Sequence, residues 1–222
     1  MKIGGLQKLS LSDYPGEVCA TVFTRGCNFR CGYCHNPELV DPFQYSALIP
    51  ESEVLSFLEQ RRGRLDAVTV SGGEPTLQKD LEAFLKKVKL MGYRVKVDTN
   101  GTHPERLAAL IDRQLADYIA MDVKGPLDRY RVIAGVDADP SRIEKSVRLI
   151  IGSGVAHEFR TTLVRSQLQP EEVLSLAGLL KDARLWMLQT FVAAKTLEKA
   201  FLAESSYTTE ELTALARELK RS

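Results

Sequence analysis

Three of the chain's four cysteines stand close together in a segment that reads RGCNFRCGYCHNPELV between residues 25 and 40. Three residues separate Cys27 from Cys31, and two separate Cys31 from Cys34. Thiolates this close on one loop can converge on one metal centre. A structural zinc site completed by His35 is one reading, but adjacent ligands are awkward and the usual second ligand pair is missing.

An iron–sulfur cube is the other reading, and a cube usually takes four cysteines. The remaining cysteine, Cys19, lies between Val18 and Ala20 in an apolar run that predicts a strand. A cysteine in such a position is usually an inert core residue. With three ligands, one iron of the cube keeps a vacant position. The spacing therefore predicts a cluster to which a small molecule binds directly.

Polar or glycine-rich stretches follow four successive apolar, β-branched runs of the chain. The cysteine segment follows the first run, and the later stretches are Ser71–Pro75, Asp98–Gly101 and Asp122–Pro126. Loops are polar in most proteins, but ordinary turns need neither three thiols nor an acidic residue at successive strand ends. Because chemistry gathers at the carboxyl ends of parallel strands, we expect one shared site.

The pattern that must position these residues is an alternation of strands and helices. Such an alternation implies parallel strands with right-handed crossovers, in an α/β fold that is either a doubly wound sheet or a barrel. Six units fall short of the eight of a full barrel. The predicted strands are Val18–Thr24, Ala67–Ser71, Arg94–Asp98, Tyr118–Asp122, Glu158–Val164 and Leu185–Phe191.

Several helix boundaries can be predicted from capping residues. Gly92 ends one helix, and Pro104 suits the first position of the next. Ser141 with Glu144, and Thr208 with Glu211, have the spacing of capping boxes; the second predicts a C-terminal helix at about 208–220. Pro170 and Glu171 open a further helix that runs through Leu179.

Composition excludes several classes of protein. The 30 basic and 29 acidic residues leave a formal charge of +1, so nucleic acid is not expected as a partner. No apolar run reaches the length of a membrane span, and the N-terminus lacks the pattern of a signal peptide. Four cysteines in 222 residues are too few for a disulfide scaffold. We expect one domain, residues 1–222, in the cytoplasm, where clustered thiols usually mean metal binding or catalysis.

The motif Cys-x3-Cys-x-aromatic-Cys, with Tyr33 as its aromatic residue, resembles the signature of the radical S-adenosyl-L-methionine (SAM) enzymes. The resemblance implies a partial (β/α)6 barrel with outer helices and a [4Fe-4S] cluster held by the three cysteines of the loop at residues 25–37. In that family, the vacant iron is chelated by the methionine moiety of SAM. An electron from the cluster then cleaves the sulfonium to give a 5′-deoxyadenosyl radical.

Longer stretches resemble one branch of that family, the activases of glycyl radical enzymes, and particularly the activators of anaerobic ribonucleoside-triphosphate reductase. These stretches extend to about residue 135 and read DYPG, TRGCNFRCGYCHNPELV, SGGEPTLQ, DTNG and MDVKGP. The implied partner is therefore a glycyl radical enzyme. No second cysteine cluster follows the first, so the electron is expected from an external flavodoxin, ferredoxin or similar donor.

The resemblance also implies roles for residues around the cluster. Tyr33 and His35 would lie beside the SAM adenine and the cluster. Gly72, Gly73, Glu74 and Pro75 match a GGEP motif that contacts the methionine amino group. Adjacent glycines allow a close backbone approach, and a carboxylate suits an ammonium.

Further roles fall on the ends of the next two predicted strands. Asp122 and Lys124 would contact SAM, with the lysine suited to its carboxylate. Asp98 and Thr99 would either help to bind a monovalent cation or form an ordinary Asx-type turn, and Asn100 would reach the ribose. Pyruvate formate-lyase activases carry a histidine near the last strand, and this chain has none there.

Two alternatives remain open at the level of the sequence. A radical SAM enzyme that acts on a small molecule, such as a 7-carboxy-7-deazaguanine synthase, would carry the same motifs. A non-enzymatic zinc-binding module would hold zinc and would not cleave SAM. Arg160, Arg165 and Lys195 are left outside the predicted site, since an exposed basic side chain usually belongs to a solvated face.

Overall fold

The structure, a computed structural model, describes residues 1–220. Within these residues the strands form one seven-stranded sheet in the order of the chain. No helix in this part of the chain has both the length and the apolar character needed to cross a membrane. The strands are β1 Ile3–Ser10, β2 Cys19–Thr24, β3 Ala67–Gly72, β4 Arg94–Thr99, β5 Tyr118–Asp122, β6 Ala156–Leu163 and β7 Trp186–Thr190.

Strand order decides between the two predicted architectures. Strands β2 to β7 pair in parallel, each with the next along the chain. Right-handed crossovers that always advance in one direction place their helices on the same side of the sheet. The sheet is therefore a partial barrel with helices outside, as predicted, and it is open, because β1 and β7 are not paired with each other within residues 1–220.

The six predicted strands are all present, with ends shifted by no more than a few residues. The first strand, β1, was missed. It pairs antiparallel with β2, with Ile3 opposite Thr24 and Ser10 opposite Cys19. Its sequence IGGLQKLS has two adjacent glycines, which have low strand propensity. A Cβ atom on Gly4 would lie 2.6 Å from Leu39 Cδ2, so a larger residue there would require the Leu39 side chain to shift.

Most predicted helix signals are confirmed, but the helix predicted from Pro170 through Leu179 is divided at Leu176 into two short helices, and one predicted cap is wrong. Pro104 begins its helix, Gly92 follows another with φ of +91°, and Thr208 with Glu211 forms a capping box. The predicted cap at Ser141 is wrong, because the side chain of Asp139 accepts the hydrogen bond from the Ser141 N–H. The helices are α1 Pro37–Val40, α2 Glu51–Gln60, α3 Leu81–Leu90, α4 Pro104–Asp112, α5 Tyr130–Ala134, α6 Pro140–Gly152, α7 Pro170–Ser175, α8 Ala177–Leu180 and α9 Thr209–Leu219.

Residues 11–17 cover the amino edge of the barrel. The Asp13 carboxylate accepts a 2.6 Å hydrogen bond from Thr21, and the Asp13 carbonyl accepts one of 2.7 Å from the buried Lys96 Nζ. The Tyr14 ring packs on Tyr118, at the start of β5, with centroids 5.6 Å apart. The interior of the barrel is thus closed at this end, and its carboxyl edge is left for the site.

Candidate active site

A cavity of about 440 Å³ opens at the carboxyl edge of the sheet, a volume within the range usual for ligand sites. All the predicted site residues except Glu74 and Pro75 line it. These are Cys27, Cys31, Tyr33, Cys34, His35, Gly72, Gly73, Asp98, Thr99, Asn100, Asp122 and Lys124. The four polar stretches therefore meet in one place, as their positions after parallel strands predict.

The cysteine loop runs from the end of β2 to the start of α1, so Pro37 belongs to the helix. Backbone hydrogen bonds fix the loop on three sides. The Gly26 N–H donates to Leu39, the Gly26 carbonyl accepts from the Glu74 N–H, and the Arg30 N–H donates to the Ala134 carbonyl. The three thiols are thus presented to the cavity by a loop with little freedom of its own.

All three cysteines are free; Cys31 is buried, and Cys27 and Cys34 are half-buried. Burial raises the pKa of the Cys27 thiol to about 12 and that of Cys31 to about 11, and it also raises the pKa of Cys34. Without a metal, these groups are therefore protonated at neutral pH. Metal ligands must be thiolates, so binding of iron here releases protons.

Gly72 and Gly73 pack directly against the cysteine loop. A Cβ atom on Gly72, whose φ is +110°, would lie 2.5 Å from the Thr24 nitrogen, and one on Gly73 would overlap the Gly26 carbonyl. The Gly73 N–H donates to the Thr24 carbonyl at 2.8 Å. The two glycines therefore dock β3 on the cysteine loop and also leave backbone atoms at the cavity wall.

Glu74 lies beneath the cavity wall and is fully buried. Its Oε1 accepts hydrogen bonds from Thr76 and from the Thr99 hydroxyl at 2.8 Å, and its Oε2 accepts from the Asn100 N–H at 2.7 Å. Burial raises the pKa of this carboxyl, and the donors partly offset that effect. Both oxygens accept hydrogen bonds within the protein, so this geometry supports a positioning role for Glu74.

The segment after β4 has the hydrogen bonds of a tight turn. The Gly101 N–H donates to the Thr99 hydroxyl at 3.1 Å, and the Thr102 N–H donates to Asn100 Oδ1 at 3.1 Å. The Asp98 carboxylate accepts from Ser71 at 2.9 Å and pairs with Lys96 at 3.0 Å. The sequence left two alternatives open for Asp98 and Thr99, a cation site and a turn. These contacts support the turn.

A cluster of alternating charges forms the wall opposite the cysteines. Asp122 accepts from Arg160 at 2.8 Å and from Lys124 at 3.0 Å, and Arg160 also reaches Asp98 at 3.4 Å. Burial opposes ionisation of Asp122, but Arg160 and Lys124 together hold its pKa well below the usual range. Arg160, which was left outside the predicted site, lines the cavity with its side chain 16% exposed and is therefore a further candidate for ligand contact.

Aromatic rings gather where the last strand meets the cysteine loop. The His35 ring stacks on Phe191 at 5.5 Å, and its Nε2 lies 2.9 Å from the Val192 carbonyl oxygen. Tyr33 packs its edge against Phe191, and its buried hydroxyl has no hydrogen-bond partner among residues 1–220. Gln189, on β7, lines the cavity beside these rings. The last strand therefore contributes an amide to the cavity.

The family follows from the sequence as a whole as well as from the site. The chain matches the profile of the Radical SAM superfamily over residues 21–180. The chain belongs to the radical SAM superfamily. That family implies a [4Fe-4S] cluster and SAM as cofactors, in agreement with the expectation from the cysteine motif.

Among relatives of this radical SAM protein, several are named as activases. MJ1227 of Methanocaldococcus jannaschii, provisionally named a glycyl-radical enzyme activating enzyme, is 34% identical over 204 residues, which cover 90% of this chain and 83% of that protein. The pyruvate formate-lyase-activating enzyme of Clostridium pasteurianum is 28% identical over 82% of this chain and 77% of that protein. The 7-carboxy-7-deazaguanine synthase of Methanopyrus kandleri is 35% identical over 51% of this chain and 52% of that enzyme.

Solved structures agree with the radical SAM fold. TYW1 with a bound lysine-pyruvate adduct superposes with a TM-score of 0.67 at 17% identity, over 92% of this chain and 73% of that one. SuiB of Streptococcus suis bound to SAM gives a TM-score of 0.65 at 16% identity, over 87% of this chain and 44% of that one. At these identities the likeness shows the fold alone.

The donor set at the cavity fits a cube better than a single metal ion. Among residues 1–220, no three His, Cys, Asp or Glu side chains converge as they would on one ion. A cube binds each cysteine at a different iron, so the thiols need not point to one centre. Cys19 is fully buried in β2 and does not line the cavity. Three cysteines are therefore available as ligands there, and one iron is left for SAM.

Several cavity residues were missed by sequence reasoning, and some had a usable signal. Asp13 lies in the DYPG stretch quoted above for its resemblance, but no role was assigned to it. Arg160 and Thr162 lie two residues apart along β6, a spacing that places them on one face of the strand. Ser71, Asn36 and Gln189 carried no signal beyond their position near strand ends.

Proposed function

We propose that this radical SAM protein is an activase that generates a glycyl radical on a partner enzyme, and that the partner is an anaerobic ribonucleoside-triphosphate reductase. The observation that carries the activity is the convergence of the cysteine loop, the GGEP segment and the Asp122–Lys124 pair on one cavity. The activase relatives add support, because they match most of this chain. The reductase as partner rests on the resemblance of DYPG, DTNG and MDVKGP to its activators.

When bound, the cluster and SAM would supply the radical chemistry, a one-electron reductive cleavage of SAM. The chain's own residues would bind and orient these cofactors. Cys27, Cys31 and Cys34 would hold three of the four irons. Lys124 and Arg160 supply positive charge that suits the methionine carboxylate. Electrons come from an external flavodoxin or ferredoxin-type donor.

Other residues orient the nucleoside end of SAM and keep the site dry. The aromatic group of Tyr33, His35 and Phe191 offers apolar faces for an adenine ring. The backbone at Gly72 and Gly73 borders the cavity without side chains, so a ligand ammonium can approach its polar atoms. Burial of the charged wall around Asp122 strengthens each of these electrostatic contacts.

The open sheet suits a macromolecular substrate. Strands β1 and β7 are not paired with each other within residues 1–220, so the barrel is open along one side. A segment of a partner protein that carries its glycine could enter through this opening. The bound cofactors would then supply the chemistry that removes a hydrogen atom from the glycine Cα, with 5′-deoxyadenosine and the glycyl radical as products.

A second candidate function is supported by one comparison. The 7-carboxy-7-deazaguanine synthase of Methanopyrus kandleri is similar over about half of this chain. A small-molecule radical SAM enzyme would use the same cysteines and the same SAM contacts. The difference lies in the molecule that loses the hydrogen atom, so the test must identify that molecule.

The deciding experiment begins with anaerobic reconstitution of the protein with iron and sulfide. SAM and dithionite are then added, and 5′-deoxyadenosine is measured by mass spectrometry. Wild type should form it, and Cys34→Ala should not. A preparation that holds zinc and no iron would overturn the assignment.

The partner is tested in a second stage with the same preparation. Anaerobic ribonucleoside-triphosphate reductase, pyruvate formate-lyase or neither is added, and the glycyl radical is recorded by electron paramagnetic resonance. A radical with the reductase alone supports the proposal. A radical with pyruvate formate-lyase alone overturns the choice of partner and keeps the activase. Formation of 7-carboxy-7-deazaguanine, with no glycyl radical, overturns both.

A further inference from the structure

The Asn100 side chain is held in one orientation by its neighbours. Its Oδ1 accepts a hydrogen bond of 3.1 Å from the Thr102 N–H and one of 2.7 Å from the Thr102 hydroxyl. A backbone N–H can only donate, so the oxygen must face Thr102. The amide nitrogen therefore points the other way, toward the cysteine loop.

Both hydrogens of that nitrogen have partners on the cysteine loop. Asn100 Nδ2 lies 2.9 Å from Asn28 Oδ1 and 3.9 Å from the sulfur of Cys27. The Phe29 N–H donates to the same sulfur at 3.3 Å. Only 6% of Asn100 is exposed, so water does not compete strongly for its amide. The amide thus donates both hydrogens to the cysteine loop, one to Asn28 and one to the predicted cluster ligand Cys27. No amide hydrogen of Asn100 is left for the predicted contact with the ribose.

A chain of hydrogen bonds ties this amide to the buried carboxylate of Glu74. The Thr102 hydroxyl gives its proton to Asn100, and the Thr76 hydroxyl gives its own to Glu74. His103 Nδ1 lies 3.0 Å from the first hydroxyl and 3.1 Å from the second. With both hydroxyl protons used, Nδ1 must carry the hydrogen and donate to both oxygens. The network leaves Asn100 no alternative arrangement.

We propose that Asn100 is a positioning residue whose amide donates to the Cys27 sulfur and raises the reduction potential of the cluster. This inference rests on the proposed function, because it requires the cluster. The reduced cluster carries one more negative charge than the oxidised one. A donor beside a ligand sulfur stabilises that charge, and hydrogen bonds to sulfur are among the determinants of cluster potentials.

The test is a redox titration of the reconstituted protein without SAM, followed by electron paramagnetic resonance of the reduced cluster. Asn100→Ala removes the donor and should shift the midpoint potential to more negative values. Thr102→Val removes one of the two bonds that orient the amide and should shift it less, in the same direction. Thr102→Ser keeps the hydroxyl and should match wild type. Iron and sulfide contents confirm that each variant holds a full cluster.

A wild-type potential in Asn100→Ala with a full cluster would overturn the inference. If that variant does not retain a cluster, Thr102→Val decides, and an unchanged potential there overturns it equally. Failure of the wild type to form a redox-active cluster is a different result, which contradicts the proposed function itself. The potential reports on the sulfur and its surroundings, so a role confined to folding of the turn would leave it unchanged.

Discussion

Arg160 donates a hydrogen bond of 2.8 Å from Nε to Oδ1 of Asp122. Its Nη1 reaches Asp98 at 3.4 Å, so one fixed positive charge joins carboxylates at the ends of two neighbouring strands. The negative charge of Asp98 is further compensated by Lys96. Arg160 and Lys96 therefore already compensate the carboxylates in this part of the site. A bound sodium or potassium ion would have little negative charge left to neutralise.

The first prediction concerns that built-in charge. SAM affinity of the wild type should be the same in sodium, potassium or choline chloride at equal ionic strength. Arg160→Gln should weaken SAM binding by about tenfold, because a hydrogen bond to a charged group contributes about 1.5–3 kcal/mol. Calorimetry on the reconstituted protein measures the SAM affinity of the wild type in each salt and that of the variant. Arg148→Gln, on the exposed face of α6, is the control, and loss of affinity in choline would contradict the prediction.

A second prediction separates the ligand cysteines from the core cysteine. Cys34→Ala should lose most of its iron after reconstitution and all SAM cleavage. Cys19→Ala should keep the cluster and lose about 1 kcal/mol of unfolding free energy, since it removes one buried atom from the strand core. Iron analysis and urea unfolding provide the two readouts. SAM cleavage that persists in Cys34→Ala would refute the cluster assignment.

The third prediction follows from the four donors around Glu74. Glu74→Gln places an NH₂ group among N–H and O–H donors, which leaves at least one buried donor without an acceptor. The free energy of unfolding of the apoprotein should fall by about 1–3 kcal/mol in urea. In this variant, SAM affinity should fall only to the extent that the substitution displaces Asn100 and Thr99. Glu53→Gln, exposed on α2, should change stability by less than about 0.5 kcal/mol.

A pH effect is expected from His103. Burial lowers its pKa; Arg142 and Arg106 add to this effect, and Glu105 opposes it. Between the lowered pKa and the ordinary value of about 6.5, the unfolded chain binds more protons, so stability rises with pH and is lost as pH falls through this window. The melting temperature of the apoprotein should drop from pH 7 to pH 5, and His103→Gln should reduce that drop. An equal drop in melting temperature in wild type and His103→Gln would show that His103 is not the source of the pH dependence.

The fifth prediction tests the contact between two loops. Gly73→Ala adds a methyl group where the Gly26 carbonyl lies, and neither backbone can move without breaking the hydrogen bond from Glu74 N–H to Gly26. Cluster incorporation should be lost or strongly reduced. Gly152→Ala, with open space around its Cβ position in α6, should reconstitute like wild type. Normal iron content in Gly73→Ala would show that the contact is dispensable.

The cysteines were predictable because their spacing is local. Three thiols on a short loop indicate a metal centre even when the fold is unknown. Strand ends in an α/β pattern are also expected to lie at one edge of the sheet. The partial barrel required more, because only the sequential strand order separates it from a doubly wound sheet. That order depends on pairings such as Phe23 with Ser71, which no local pattern reveals.

Arg160 shows why the rest of the site was harder to predict. A basic residue in a strand is predicted to be exposed when one face of the sheet is assumed to face solvent. In a barrel the inner face is enclosed, and a charged residue there meets other charged residues from neighbouring strands. For Glu74, a carboxylate after two glycines predicts a ligand contact, which stays a prediction; its contacts with the turn at Asn100 depend on tertiary packing and could not be predicted from the sequence.

The contacts of the cysteine loop also govern when during folding the site is completed. Each strand pairs with the next along the chain, so most of the sheet can form progressively from the amino end. The Gly32 carbonyl, however, accepts from the Glu198 N–H, and the Phe201 ring occupies the space where a side chain on Gly32 would lie. These contacts of the ligand loop at Gly32 therefore cannot form until residues 198–201 have packed against it, although they are far from it in the sequence.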